Sequence, residues 1–209
     1  MLTISVDYGL GFRSNALFSF LGEGIFTQDG HRWKHSRELL RRPFVRIQYQ
    51  NLRGFTEQVN DLISNMKAAS GCVVDLQPFF FRFTLATTTA LIFGQTVKSF
   101  ETEEQTSFAN SFDYASAIAA VRLRLDALYW IYTPARYRKA CETVKDYAMG
   151  FVEQALVDKM EDDQVTETKY AFIQDLHDEL QNPILVRDQI CNVLIAGRDT
   201  TACLLSWTL

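Results

Sequence analysis

The chain has 209 residues, 47% hydrophobic and 13% aromatic, which is enough for one substantial core and excludes a disordered or fibrous polypeptide. With 21 Lys and Arg against 25 Asp and Glu, the net charge of -4 disfavours nucleic acid as a global partner while leaving room for a local basic patch. Cys72, Cys141, Cys191 and Cys203 show neither Cys-x-x-Cys nor metal-ligand spacing and read as reduced packing residues; no apolar run reaches the roughly 18 to 20 residues of a membrane span, and residues 1–7 lack the order of a signal peptide.

Residues 1–26 read as loop, because Gly9, Gly11, Gly22 and Gly24 punctuate Phe12, Phe18, Phe20 and Phe26. Such a segment lines a cavity or covers a core. Asp29 offers an N-cap to a helix that Pro43 should close. On that helix Trp33 and Arg37 stand at i and i+4, so an indole N–H and a guanidinium leave one face together. Either they meet a common anionic group or they form a cation-π pair at the surface. Arg32, Lys34, Arg37, Arg41, Arg42 and Arg46, opposed only by Glu38, make the basic stretch of an acidic chain. It is solvated or meets something negative, and no DNA-binding motif accompanies it.

Leu52, Phe55, Val59, Leu62 and Met66 mark an amphipathic, purely structural helix ending at Ser70-Gly71. The apolar run Phe79 to Gly94 is too long for a strand and predicts a buried helix. Phe108, Phe112, Ala115 and Ala119 form a further stripe; Tyr137, Cys141, Val144, Ala148, Phe151 and Ala155 form a long one after Pro134. Between them Leu125 to Tyr132 is too apolar for an ordinary linker, and Trp130, Tyr129 and Tyr132 have the chemistry of interfacial residues. Residues 161–167 are a polar loop, Tyr170 to Leu180 a short helix with Ile173, Leu176 and Leu180 inward, and Asn182-Pro183 starts the last helix. Helix follows helix in a single all-α unit, with no repeat or domain linker.

In the last helix, apolar residues on both sides of Asn192 to Thr208 predict burial nearly all round. Gly197, Thr200 and Thr201 lower helix propensity at one point, which marks a kink. The Thr200 hydroxyl is placed to bond the Ala196 carbonyl and open a groove beside Gly197, where a small ligand or water fits. Asp199 adds a carboxylate that must be paired or used in proton transfer. Taken alone, Asp-Thr-Thr is a satisfied polar layer or a catalytic one.

The string Ala196-Gly-Arg-Asp-Thr-Thr201 resembles the oxygen-activation segment of the haem-thiolate monooxygenases, the cytochrome P450 family, with its pattern Ala/Gly-Gly-x-Asp/Glu-Thr-Thr/Ser. Ile25 to Phe44 resembles the third lettered helix of the same family. Phe79 to Gly94 resembles its fifth helix and, with Leu21-Gly-Glu-Gly-Ile-Phe26 and Asp-Gly-His-Arg-Trp-Lys-His-Ser-Arg, is similar to the fungal subfamily of n-alkane and fatty-acid hydroxylases.

The resemblance implies the mainly helical part of that fold, from the loop before the third helix into the central long helix, spanning residues 1–209 as a partial domain. It implies a haem cofactor, with Trp33 and Arg37 on a propionate, Ala196 and Gly197 beside the ring, Asp199 relaying protons and Thr200 serving oxygen activation. Arg198 pairs with Asp199 or with an acid elsewhere. The implied partners are an NADPH-cytochrome P450 reductase docking near Lys34, Arg41 and Arg42, a long-chain aliphatic substrate, and a membrane surface under Leu125 to Tyr132. The implied location is the cytosolic face of the endoplasmic reticulum membrane. Phe18 and Phe20 are expected to line the substrate pocket.

Neither the Glu-x-x-Arg pair of a later helix nor the Phe-x-x-Gly-x-Arg-x-Cys-x-Gly loop occurs, so no cysteine here is assigned to iron. The expectation is an internal fragment without the amino-terminal anchor, inactive by itself. A non-catalytic helical remnant that binds an anion or a partner is the rival reading.

Overall fold

The computed structural model describes residues 9–47, 52–68, 71, 73–93, 102–161 and 170–209, and among these it is all helix and turn with no strand. In chain order the α-helices are α1 (Phe12–Leu21), α2 (Gly30–Ile47), α3 (Leu52–Ala68), α4 (Gln77–Phe93), α5 (Glu103–Arg124), α6 (Ala135–Glu161), α7 (Ala171–Leu180) and α8 (Pro183–Thr208). A 3-10 segment, Asp126–Ile131, joins α5 to α6. Among the described residues no helix is long and apolar enough to cross a membrane.

Local chemistry sets several of the ends. Thr102 caps α5 by accepting the Gln105 N–H at 3.2 Å, and the Gln105 side chain returns to the Thr102 N–H at 3.5 Å. Glu103 and Glu104 in the first turn and Arg122 and Arg124 in the last complement the helix dipole. Asn182 caps α8 as its sequence predicts, its Oδ1 accepting the Ile184 N–H at 2.9 Å, with Pro183 in the first position. In α4 the threonines that disfavour a buried helix satisfy themselves: Thr84 donates to Phe80 O, Thr88 to Thr84 O and Thr89 to Leu85 O.

α8 runs through the middle, packed most extensively on α4 and then on α6. Its residues Ile190, Cys191 and Leu194 are fully buried. The aromatic part of the core stacks Phe108 on Tyr147 at 4.2 Å and Phe93 on Phe151 at 4.0 Å, while Phe20 of α1 meets Phe112 of α5 edge-on at 5.2 Å. Burial of a side chain such as Phe20 contributes about 1.5–3 kcal/mol. Arg122 fastens the far end of α5: it donates from Nε to Ala16 O at 3.2 Å and from a terminal nitrogen to Tyr132 O and Thr133 Oγ1, so α1 and the 3-10 segment are tied together.

The structure corrects several expectations. Residues 12–21 are helix, not loop; Gly11 and Gly22 lie just outside its two ends with positive φ, so the glycines frame the element instead of interrupting it. α2 continues through Pro43 to Ile47, because a proline near a helix end removes one ladder bond without forbidding the last turn. Asp29 stands at the start of α2, but its carboxylate accepts the Leu10 N–H at 2.9 Å. In α3, Phe55 and Val59 are exposed whereas Gln58 is buried. α8 is buried all round only from Asp188 to Leu194; Cys203, Leu204 and Trp207 face outward. Cys72, Gly94, residues 162–167 and the Arg46 side chain lie outside what is described.

Candidate functional site

A cavity of about 700 Å³ lies between the turn after α1, the stretch Trp33 to Arg41 of α2, α4 and α8. Ile25, Phe26, Leu40, Leu91, Val193 and Ala196 give it apolar walls, and Trp33, Arg37 and Arg41 give it a polar, cationic side. Four of the residues singled out in the sequence, Trp33, Arg37, Ala196 and Gly197, therefore border one space. The Arg37 guanidinium stacks 5.3 Å over the Trp33 ring, so the cation-π pair exists and it stands on the cavity wall. Such a lining suits an apolar group that carries an anion at one edge.

The turn that supplies Ile25 and Phe26 is held by polar side chains of α8. Asn192 Oδ1 accepts the Phe26 N–H at 3.0 Å, and its Nδ2 donates to Leu21 O at 3.1 Å and to Asp188 O at 2.8 Å. Asp188 accepts the Glu23 N–H at 2.9 Å and is bound by Arg187. Within the turn, Thr27 Oγ1 accepts the Gly24 N–H at 2.9 Å and donates to Gly22 O at 2.6 Å. Glycine is required for this docking: a Cβ at Gly22 would lie 2.1 Å from the Asp188 carboxyl, and one at Gly24 would lie 2.3 Å from Asn192 Nδ2. A second link fixes α2, where Gln189 Nε2 donates to Ser36 Oγ at 2.7 Å and Ser36 donates to Gln28 Oε1 at 2.6 Å.

Thr200 donates to the Ala196 carbonyl at 2.7 Å, as its spacing predicts, yet α8 stays α-helical from Pro183 to Thr208. Gly197 borders the cavity together with Thr88 of α4, and Thr88 Oγ1 lies only 2.6 Å from where a Cβ would stand, so this glycine also lets two helices cross closely. Thr200 is exposed and Asp199 half-buried, and neither borders the cavity. Arg198 takes both partners left open by the sequence, Asp199 beside it and Asp113 of α5.

Phe20 is wholly buried in the core and Phe18 is on the surface, so neither lines the cavity. On α2, Arg41 reaches the cavity side, Arg42 pairs with Glu179 of α7, and Lys34 stands 4.0 Å from Glu38 in solvent. Burial pushes the Cys141 thiol up to about 11 and the Cys191 thiol up to about 12, so both stay protonated at neutral pH. Among the described residues no group of three or more His, Cys, Asp or Glu is arranged to hold a metal.

Asn192, Asp188, Thr88 and Asp113 were not recognised as site residues from sequence. Asn192 and Asp188 did carry a signal, since polar side chains inside an apolar helix require partners.

Residues 10–209 match the family model for Cytochrome P450. Among curated proteins, a Cytochrome P450 of Arthroderma benhamiae is 42% identical over 91% of this chain and 39% of its own length. Cytochrome P450 52A4 of Candida maltosa is 36% identical over 96% of the chain and 39% of its own length; Cytochrome P450 52-E3 of Starmerella bombicola is 38% identical over 97% and 41%. The chain thus spans about two fifths of the length of the curated relatives it matches. The match is continuous from the turn that walls the cavity to the end of α8, and on that evidence the chain belongs to the cytochrome P450 family.

Proposed function

We propose that the protein carrying this chain is a haem-dependent monooxygenase that hydroxylates long-chain alkanes or fatty acids with O2 and electrons from an NADPH-dependent reductase. Proteins of the family bind haem iron. The observation that carries the reading is the cavity shared by Trp33, Arg37, Ala196 and Gly197, whose apolar walls and cationic side fit a porphyrin with its propionates. When bound, haem supplies reductive activation of O2 and insertion of one oxygen atom into an unactivated C–H bond.

The chain's own residues would then divide the remaining work. Trp33 donates its indole N–H, and Arg37 its guanidinium N–H groups, to a propionate. Ala196 and Gly197 would hold the group along α8, and Phe26 of the Asn192-held turn would add an apolar wall. Asp199, paired with Arg198, would hold and pass a proton, and the Thr200 hydroxyl, which donates to the Ala196 carbonyl, would serve oxygen activation. Lys34 and Arg42 are exposed on α2 and form the basic face for an acidic reductase, with Arg41 at its inner edge. Leu128, Trp130 and Ile131 stand out from the 3-10 segment and suit the surface of the endoplasmic reticulum membrane. Residues 1–209 by themselves are expected to be inactive.

The test is the full-length protein reconstituted with reductase, NADPH and O2 and assayed for hydroxylated alkane or fatty-acid product. Thr200→Ala should bind substrate normally and divert electrons to free peroxide. Absence of hydroxylated product from every aliphatic substrate, in a preparation that takes up haem and electrons, would overturn the activity.

A further inference from the structure

The Arg198 side chain is only 5% exposed, and it serves two carboxylates on different helices. One terminal nitrogen donates to Asp113 of α5 and the other to Asp199, its neighbour in α8. Aromatic faces cover the cation: its guanidinium carbon lies 4.3 Å from the Phe81 ring centre and 5.5 Å from that of Phe112. The Nε atom is buried with no partner. One shielded cation is therefore shared between two carboxylates, of which Asp113 is 55% exposed and Asp199 36%.

The other charged groups around Asp113 are Arg82 of α4, which acts on its carboxyl, and Asp61 of α3, which lines with Asp113 and Arg82 a second cavity, separate from that of Trp33 and Arg37. Burial holds the Asp113 carboxyl above its ordinary range; Arg198 opposes that, Asp199 adds to it and Arg82 opposes it more weakly.

We infer that Asp113 is a positioning residue for Asp199: by engaging one terminal nitrogen of Arg198 it keeps the guanidinium shared and leaves Asp199 free to exchange a proton. The inference rests on the reading of Asp199 as the proton-passing acid. Without the Asp113 charge, the Arg198 fork turns wholly to Asp199, where a bidentate pair stabilises the carboxylate and holds it. A carboxylate held in that way accepts protons less readily.

The experiment compares Asp113→Asn, Asp113→Glu and Asp199→Asn in the haem-loaded full-length enzyme. For Asp113→Asn, turnover at saturating substrate should fall about tenfold, with KM and haem content unchanged. The solvent isotope effect on turnover should rise, and isotope-edited infrared titration should move the Asp199 carboxyl to lower pH. Asp113→Glu should restore all three. Native turnover and titration in Asp113→Asn, beside an impaired Asp199→Asn, overturn the positioning role and leave the relay standing. Native behaviour in both variants overturns the relay and the positioning role together. Slow turnover with lost haem or lower thermal stability and an unmoved Asp199 titration assigns Asp113 a structural part only and overturns the inference.

Discussion

Asn192 accepts the Phe26 backbone N–H at 3.0 Å across 166 positions of sequence, and the same carboxamide donates to Leu21 O at 3.1 Å. One buried side chain on α8 therefore sets where the turn carrying Ile25 and Phe26 meets the cavity. Asn192→Leu would leave those backbone groups without partners, at about 1–3 kcal/mol for each buried group. We expect a lower unfolding midpoint in urea and faster proteolysis between residues 22 and 27. An unchanged midpoint with unchanged proteolysis would show that the turn is held by other means.

Gly197→Ala tests the crossing of α4 and α8. Alanine gains about 1 kcal/mol of helix propensity over glycine, but its Cβ would lie 2.6 Å from Thr88 Oγ1 and 2.8 Å from Thr88 Cγ2. Overpacking typically costs about 1–3 kcal/mol, so the clash should prevail. The double variant Gly197→Ala with Thr88→Ala should recover most of the loss. Thermal unfolding of the two single variants and the double variant measures this, and additive losses would contradict the contact.

Alkaline pH gives a third test. Cys191 has its thiol raised from 9.0 to about 12, chiefly by burial, and Cys141 is raised to about 11. The native state keeps these protons after the unfolded chain has released them, so stability is full below about pH 9 and falls as pH climbs through that window. Cys191→Ala should lower stability at neutral pH through the lost sulfur, yet flatten the decline between pH 9 and 12 by one proton. Urea melts at intervals across that range will show it; a slope identical to the native one would exclude Cys191 as a source.

Periodic burial made most helices legible in advance. Tyr137, Cys141, Val144 and Ala148 repeat every three or four residues, and all are buried on one side of α6. The Phe108, Phe112, Ala115 stripe is buried likewise in α5. What stayed hidden depends on partners far away in sequence. A glycine in the middle of a helix is compatible with a ligand groove or with a helix crossing, and Gly197 serves both, bordering the cavity and admitting Thr88 from 109 positions earlier. Asp113 looks like an ordinary solvent-facing position next to buried Phe112, because its partner Arg198 is 85 positions on. Pro43 misled for a different reason: a local steric rule was applied at a helix end, where the missing bond costs least.

Arg37→Ala addresses the cofactor side of the cavity. If Arg37 binds a propionate, its loss removes a charge-assisted hydrogen bond contributing about 1.5–3 kcal/mol, equivalent to a roughly tenfold to hundredfold weaker hold on haem. Haem content of the purified full-length protein, and the rate of haem transfer to an apo-globin acceptor, should both report it. Normal content and transfer would leave Arg37 as the partner of Trp33 alone.

The substrate class yields the last prediction. The aliphatic class needs a pocket of apolar surface beside the haem; Ile25, Phe26, Leu91 and Val193 are walls of the space assigned to haem itself, and the exposed Leu128, Trp130 and Ile131 of the 3-10 segment do not border that cavity. A pocket of apolar surface discriminates by buried area more than by directed hydrogen bonds. Each methylene moved out of water contributes up to about 0.8 kcal/mol, close to a fourfold change in affinity, less the rotamer freedom the chain gives up. Spectral dissociation constants of the full-length enzyme should therefore fall in steps of up to about fourfold per methylene through medium and long fatty acids. Beyond the length that fills the channel, further methylenes remain in water or strain the fit, and the constants should level off or rise. Preference for a short, polar or polycyclic compound, with no response to chain length, would refute the aliphatic substrate while leaving the haem chemistry untouched.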